Sequence, residues 1–375
     1  MSHRIRHVVI LGGGSAGWLT AALLAADHVP ADEGGLQVTL IESPETPPIG
    51  VGEGTWPTMR DTLRRIGVRE TALFRECDAA FKQGSRFDGW TDGAPGDHYF
   101  HPFMLPEGYT EAPLVPAWLL HAAQLPFADL SCVQPHLCVH NRAPKQATTP
   151  EYASVANYGY HFDAGKFGLF LRRHAVETLG VRHVVDHVVG VGTHDNGDIA
   201  SLQTQGQGAL AGDLFVDCSG LPSLLLGGHY GVPFRSQQGV LFNNAALAMQ
   251  VPYPRGDTPI ASQTISTAQR SGWIWDIGLP TRRGVGHVYS TDHATAEEAE
   301  QALRAHVQAT GGAPDLPVRR LSFTPGYRDH FWHRNCVAIG LSSGFDGTIA
   351  GPRSSPPRSI VAMRVRSSPP RCSSG

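Results

Sequence analysis

The chain has 375 residues, with 30 Lys and Arg against 33 Asp and Glu, a formal net charge of −3 and 41% hydrophobic residues. That balance gives no electrostatic basis for a nucleic acid or an anionic membrane as partner. No apolar run is long enough to span a bilayer, and Met1 to His7 leads into a strand without a cleavable apolar segment, so a cytoplasmic location is expected.

The first informative segment is His7-Val-Val-Ile-Leu-Gly12-Gly13-Gly14-Ser15-Ala16-Gly17-Trp18, followed by an Ala/Leu-rich stretch. A short β-branched run, a G-x-G-x-x-G turn and a helix-like sequence form the strand–turn–helix context of a dinucleotide site. Gly12 permits a tight turn, Gly14 lets backbone approach a pyrophosphate, and Gly17 allows close packing of helix on strand. Gly13, Ser15 and Ala16 complete the cradle, whose helix N-terminus offers free N–H groups and a positive dipole end. A second strand, Leu36 to Glu42, ends in a carboxylate placed to receive ribose hydroxyls and to disfavour a 2′-phosphate.

Further along, Gly212-Asp-Leu-Phe-Val-Asp217-Cys-Ser-Gly220 is a short apolar strand ending in an acid and a small-residue turn. A strand that returns late to the dinucleotide suits a two-part FAD-binding oxidoreductase better than a simple NAD dehydrogenase, so FAD is the expected cofactor. The cysteines, Cys77, Cys132, Cys138, Cys218, Cys336 and Cys372, lack C-x-x-C spacing and are expected as free thiols. His183/His187 and His330/His333 are spaced for ligation but lack accompanying carboxylates, so no metal is expected.

Several segments together resemble the flavin-dependent halogenases of the tryptophan halogenase type over about residues 5–345. They are Pro48-Ile-Gly-Val-Gly-Glu53-Gly-Thr-Trp56-Pro, Ala80-Phe-Lys82-Gln-Gly-Ser-Arg-Phe87, Tyr160-His-Phe-Asp163-Ala, Gly272-Trp273-Ile-Trp275-Asp-Ile277 and Val337-Ala-Ile-Gly340-Leu-Ser-Ser-Gly344-Phe345. The resemblance implies an α/β fold: a Rossmann-like βαβ flavin part at about 5–90, 165–225 and 335–350. A mixed-sheet substrate part would occupy about 91–164 and 226–334. It implies Lys82 as the catalytic residue and Val188 and Leu341 as further flavin contacts. Trp273 and Trp275 would wall the substrate off from the flavin; alternating on a strand, they face one side. Here Gly278 stands where the family has the proline of Trp-x-Trp-x-Ile-Pro.

The implied activity is FADH₂- and O₂-dependent halogenation of an aromatic such as tryptophan or another indole. FADH₂ would come from a separate flavin reductase, and a halide ion would be oxidised to hypohalous acid. A lysine suits the handling of that product, because burial lowers its pKa and leaves an amine able to hydrogen-bond or trap it. The alternatives are a flavin-dependent aromatic monooxygenase and a catalytically dead flavoprotein.

The C-terminal end departs from the family pattern. Where Glu-Pro-Leu-Glu normally follows the phenylalanine, this chain reads Phe345-Asp-Gly-Thr-Ile-Ala-Gly-Pro352, then an Arg/Ser/Pro-rich tail without acidic residues. A tail of that composition cannot pack a core, and 346–375 as a whole is expected to be disordered. A permitted back-translation of Asp346–Pro352, read one base later, gives Met-Glu-Pro-Leu-Gln-Ala. Two readings are open: a frameshift at Phe345–Asp346, which would remove the halide pocket and with it turnover, and a genuine divergent tail serving as a basic interaction arm; sequencing the gene across this point decides.

Overall fold

The computed structural model describes residues 5–45, 53–122 and 124–345. The fingerprint folds as read: strand His7–Leu11, a glycine turn, then a helix from Ser15 to Asp27. The strand pairs in parallel with Gln37–Glu42 on one side and Leu214–Asp217 on the other. Arg182–Val185 and Cys336–Ala338 extend the sheet in parallel, and Trp332–His333 closes one edge antiparallel. The central strands carry apolar side chains on both faces, as a sheet covered on both sides requires.

One face of this sheet packs on the helices Ser15–Asp27 and Ala164–Glu177, with Val8, Ile10, Trp18, Leu40 and Leu171 in the core. Asp163 caps the second helix by accepting the Lys166 N–H at 3.0 Å. The other face is covered by a three-stranded antiparallel sheet, Val188–Thr193, Ile199–Thr204 and Gly208–Ala211, through Val9, Ile41, Leu202 and Phe215.

The second layer is a seven-stranded sheet in the order Arg319–Ser322, Ala245–Pro252, Arg282–Tyr289, Gly272–Gly278, Thr264–Gln269, Gly84–Asp88 and His98–Pro102. One face carries the helix Ala296–Ala309, which opens with a reciprocal Thr295/Glu298 capping box. Gly84–Asp88 lies in the span expected for the flavin part, yet it pairs with Thr264–Gln269 in this second sheet. A third small sheet, Glu53–Gly54, Gly159–Phe162 and Ala80–Lys82, sits beside that junction.

Cys77, Cys132, Cys138, Cys218 and Cys336 are free and buried. Among the described residues no helix is long and apolar enough to cross a membrane. Pro48 to Gly52 of the glycine-rich loop, Cys372, and the whole of 346–375 with its frameshift expectation lie outside the described residues.

Candidate functional site

The carboxyl ends of the parallel strands converge on one edge of the first sheet, where an open α/β sheet places its ligand. Gly12 has φ +119°, and a Cβ there would stand 2.1 Å from the carbonyl oxygen of Cys218. Gly17 packs so closely that its Cβ would lie 1.9 Å from the Gly12 carbonyl. A Cβ on Gly14 would meet nothing within 4 Å, and the helix starting at Ser15 has no side-chain cap. The amides of Ser15 and Ala16 therefore lie in an uncapped first turn behind open space, which fits a pyrophosphate.

Glu42 ends its strand beside this turn. Its Oε1 accepts from His183 Nε2 at 2.8 Å and from Arg172 at 3.4 Å. A Cβ on Gly13 would lie 1.7 Å from its Oε2, so the carboxylate is folded over Gly13. His183, spaced with His187 as a ligand pair would be, is thus the partner that orients Glu42, and its ring packs edge-on to Trp18.

The later strands deliver two more turns to the same edge. Buried Asp217 accepts from the Ser219 and Ser223 hydroxyls and from the amides of Ser219, Leu225 and Leu226. Those five bonds fix the Cys218–Gly220 turn against Gly12. Ser342 Oγ in turn bridges the amide and carbonyl of Gly220 at 3.0 and 3.1 Å. Leu341 therefore sits in a turn, Gly340–Ser342, pressed against Ala16 and Gly220. Val188 opens a strand two residues after Asp186, whose amide donates to the Glu42 carbonyl. Gly12–Gly17, Glu42, Val188 and Leu341 are thus arrayed around one edge, and the shape, charge and donors there fit FAD.

Lys82 ends its strand in the third sheet and is only 5% exposed. Burial pushes its pKa down to about 8. The Nζ lies 5.6 Å from the Phe103 ring centroid and 6.0 Å from that of Trp56. Trp56 packs on Phe103 at 5.3 Å and on His101 at 6.1 Å. Phe103 also borders a shallow, open surface depression, lined further by Met104, Leu105, Tyr109 and Asn157. A half-exposed aromatic shelf thus lies between that depression and a buried amine.

Trp273 and Trp275 lie on one face of Gly272–Gly278, both buried, with ring centroids 6.2 Å apart. Trp275 is opposite Ser266, two residues beyond Thr264. Thr264 is hydrogen-bonded to His161 beside Lys82, so the tryptophans occupy the sheet face that turns toward the lysine. The Trp275 indole N–H is buried without a hydrogen-bond partner among the described residues.

His101, Phe103 and Thr264 belong to the site but are singled out by no sequence motif. Alternation in Gly84-Ser-Arg-Phe-Asp88 and His98-Tyr-Phe-His-Pro102 predicts a hairpin, and its end would have brought His101 and Phe103 toward Lys82.

The tryptophan halogenase family model matches residues 7–351. The 7-chloro-L-tryptophan 6-halogenase KtzR of Kutzneria sp. (strain 744) is 38% identical over 90% of this chain and 68% of its own. The tryptophan 7-halogenase RebH of Lentzea aerocolonigenes is 36% identical over 92% of this chain and 66% of its own. A crystal structure of tryptophan halogenase from Shewanella frigidimarina NCIMB 400 superposes with a TM-score of 0.87 at 50% identity, covering 92% of this chain and 67% of that one. The chain spans about two thirds of the length of these relatives. With this breadth of match joined to the nucleotide cradle and the buried lysine, the chain belongs to the tryptophan halogenase family.

Proposed function

We propose that this chain halogenates an electron-rich aromatic, tryptophan or another indole, using FADH₂, O₂ and a halide ion. The observation that carries this reading is Lys82, a buried amine held between a half-exposed aromatic shelf and a tryptophan-lined sheet. When bound, reduced FAD with O₂ supplies the oxidation that turns halide into hypohalous acid.

The chain's own residues divide the remaining work. Gly12, Gly13, Gly14, Ser15, Ala16 and Gly17 receive the pyrophosphate, Glu42 the ribose, and Val188 and Leu341 flank the cofactor. Trp273 and Trp275 keep the aromatic substrate from the flavin and so suppress direct oxygenation. Lys82 donates N–H to the hypohalous acid and presents its halogen to a ring stacked on Phe103. The ring proton leaves as the C–X bond forms, and the hypohalous oxygen departs as water.

An electron-rich ring is favoured because the halogen is delivered as an electrophile. The reduced cofactor would come from a separate flavin reductase acting in the cytoplasm, and the substrate part would take in Gly84–Asp88, which pairs with Thr264–Gln269. The test supplies FADH₂, O₂, chloride or bromide and a panel of indoles, with products read by mass spectrometry. A halide-dependent mass increase supports the reading; hydroxylated product independent of halide points instead to a monooxygenase.

A further inference from the structure

Three side chains from three separate segments converge on the Cα of Gly54. A Cβ at that position would lie 3.0 Å from Lys82 Nζ, 3.3 Å from His161 Cδ2 and 3.3 Å from Thr264 Oγ1. The sheet register explains the meeting. His161 is opposite Gly54 on one side and Ala80 on the other, and Ala80 shares a face with Lys82. Thr264 opens a strand of the large sheet and reaches the same point from across the junction.

His161 and Thr264 are bonded to each other, Nε2 to Oγ1, at 2.9 Å, and both are buried. The histidine's pKa is pushed well below its ordinary value, first by burial and then by the neighbouring Lys82 charge. Its Nδ1 is buried with no partner at full hydrogen-bond geometry among the described residues, while the Gly278 backbone lies near enough to favour a proton on the ring. With the proton on Nδ1, Nε2 accepts the Thr264 hydroxyl hydrogen. The threonine oxygen then has only lone pairs to offer the amine.

We propose that His161, acting through Thr264, is a positioning residue for Lys82: a neutral imidazole that turns the threonine hydroxyl into an acceptor beside the amine. Lys82 Nζ and Thr264 Oγ1 both stand against Gly54 without a direct hydrogen bond between them, so the hydroxyl acts on the amine as a nearby dipole that favours the ammonium form. Among the described residues, the groups around it are the Trp56 and Phe103 rings, His161, Thr264 and the Gly54 backbone, with His101 the next titratable side chain beyond Trp56. This inference extends the proposed role of Lys82, but its test is independent of turnover.

The chain has three lysines, Lys82, Lys145 and Lys166, so [ε-¹³C]lysine NMR of the FAD-supplemented protein resolves each titration, with Lys82→Arg as the assignment. Removing the acceptor disfavours the ammonium form. Thr264→Val and His161→Phe should each lower the Lys82 midpoint by about 0.5–1 unit, and Thr264→Ser should restore it. The double variant should shift it no further than Thr264→Val alone. Melting and FAD affinity establish that each variant folds; if His161→Phe does not, the near-isosteric Thr264→Val and its Ser control decide. A midpoint that stays put or rises in folded Thr264→Val overturns the proposal. Absence of halogenated product from the unmutated chain would instead count against the halogenase reading and leave the NMR result standing.

Discussion

Lys82 Nζ lies 5.6 Å from the centroid of the Phe103 ring, and the same ring borders a shallow, open surface depression. The contact makes Phe103 both a partner of the amine and a platform for an aromatic substrate. Phe103→Leu keeps apolar bulk but removes the π-face, worth about 1 kcal/mol for each interaction it makes. Steady-state kinetics should show kcat/KM for the indole falling roughly ten-fold, carried mainly by KM. An unchanged KM would remove Phe103 from the substrate site.

Lys82 also makes a statement about stability. Its folded-state pKa of about 8 stands below the ordinary 10.5, so between those values the unfolded chain binds more protons than the folded one. Stability from this group therefore rises with pH across that window, and at pH 7 the buried charge is a cost on the order of 3 kcal/mol. Lys82→Met should raise the stability of the protein at pH 7, and the advantage should shrink as pH climbs from 8 toward 10.5. Urea melts at a series of pH values check this; a constant difference contradicts it.

The glycines of the turn separate structural from cofactor roles. Gly12→Ala forces a Cβ toward a carbonyl oxygen 2.1 Å away at a positive φ, so it should lower melting temperature with or without FAD. Gly14→Ala meets no protein atom and should melt normally without FAD while binding it at least ten-fold more weakly, the methyl group standing where the pyrophosphate approaches. Fluorescence titration and calorimetry on the two variants distinguish these outcomes.

Behind the Lys82 sheet, Glu70 is 3% exposed and accepts from Lys145 at 2.8 Å, Tyr158 at 2.5 Å, Tyr160 at 2.7 Å and the Tyr152 amide at 2.8 Å. Burial raises its pKa, but these donors together outweigh that and hold it below the usual carboxylate range. Its contribution is thus complete above the unfolded carboxylate value and lost as pH falls through the folded one. Glu70→Ala strands Lys145 and two tyrosine hydroxyls and should destabilise by about 3 kcal/mol or more. Lys145→Met in the same chain should recover part of that loss, as denaturant melts will show.

The nucleotide half of the site was legible because its chemistry is local. A turn that needs glycine, a helix that needs a free N-terminus and a strand ending in Glu42 leave contiguous marks on the chain. The returning strands at Asp217 and Cys336–Ala338, and the tryptophans alternating on one strand, were legible for the same reason. Thr264, His101 and Phe103 were not: Thr264 meets Lys82 across two sheets, Phe103 comes in from the end of the His98–Pro102 strand, and His101 stands behind Trp56. His183 had the spacing of a metal ligand and proved to be the partner of Glu42, a pairing created by adjacent parallel strands. Glu70 lies on a short helix, where an acid ordinarily faces solvent; only the three-dimensional arrangement of Tyr158 and Tyr160 shows that it is buried.

The central claim is that Lys82 carries the halogen to the ring. The most direct measurement compares the unmutated chain with Lys82→Ala under FADH₂, O₂ and bromide, following hypohalous acid with a diffusible trap and halogenated indole by mass spectrometry. The account predicts that the variant still produces trapped hypohalous acid at the unmutated rate while halogenated indole falls by about 10³-fold or more. Halogenated indole formed equally well without the Lys82 amine would contradict it.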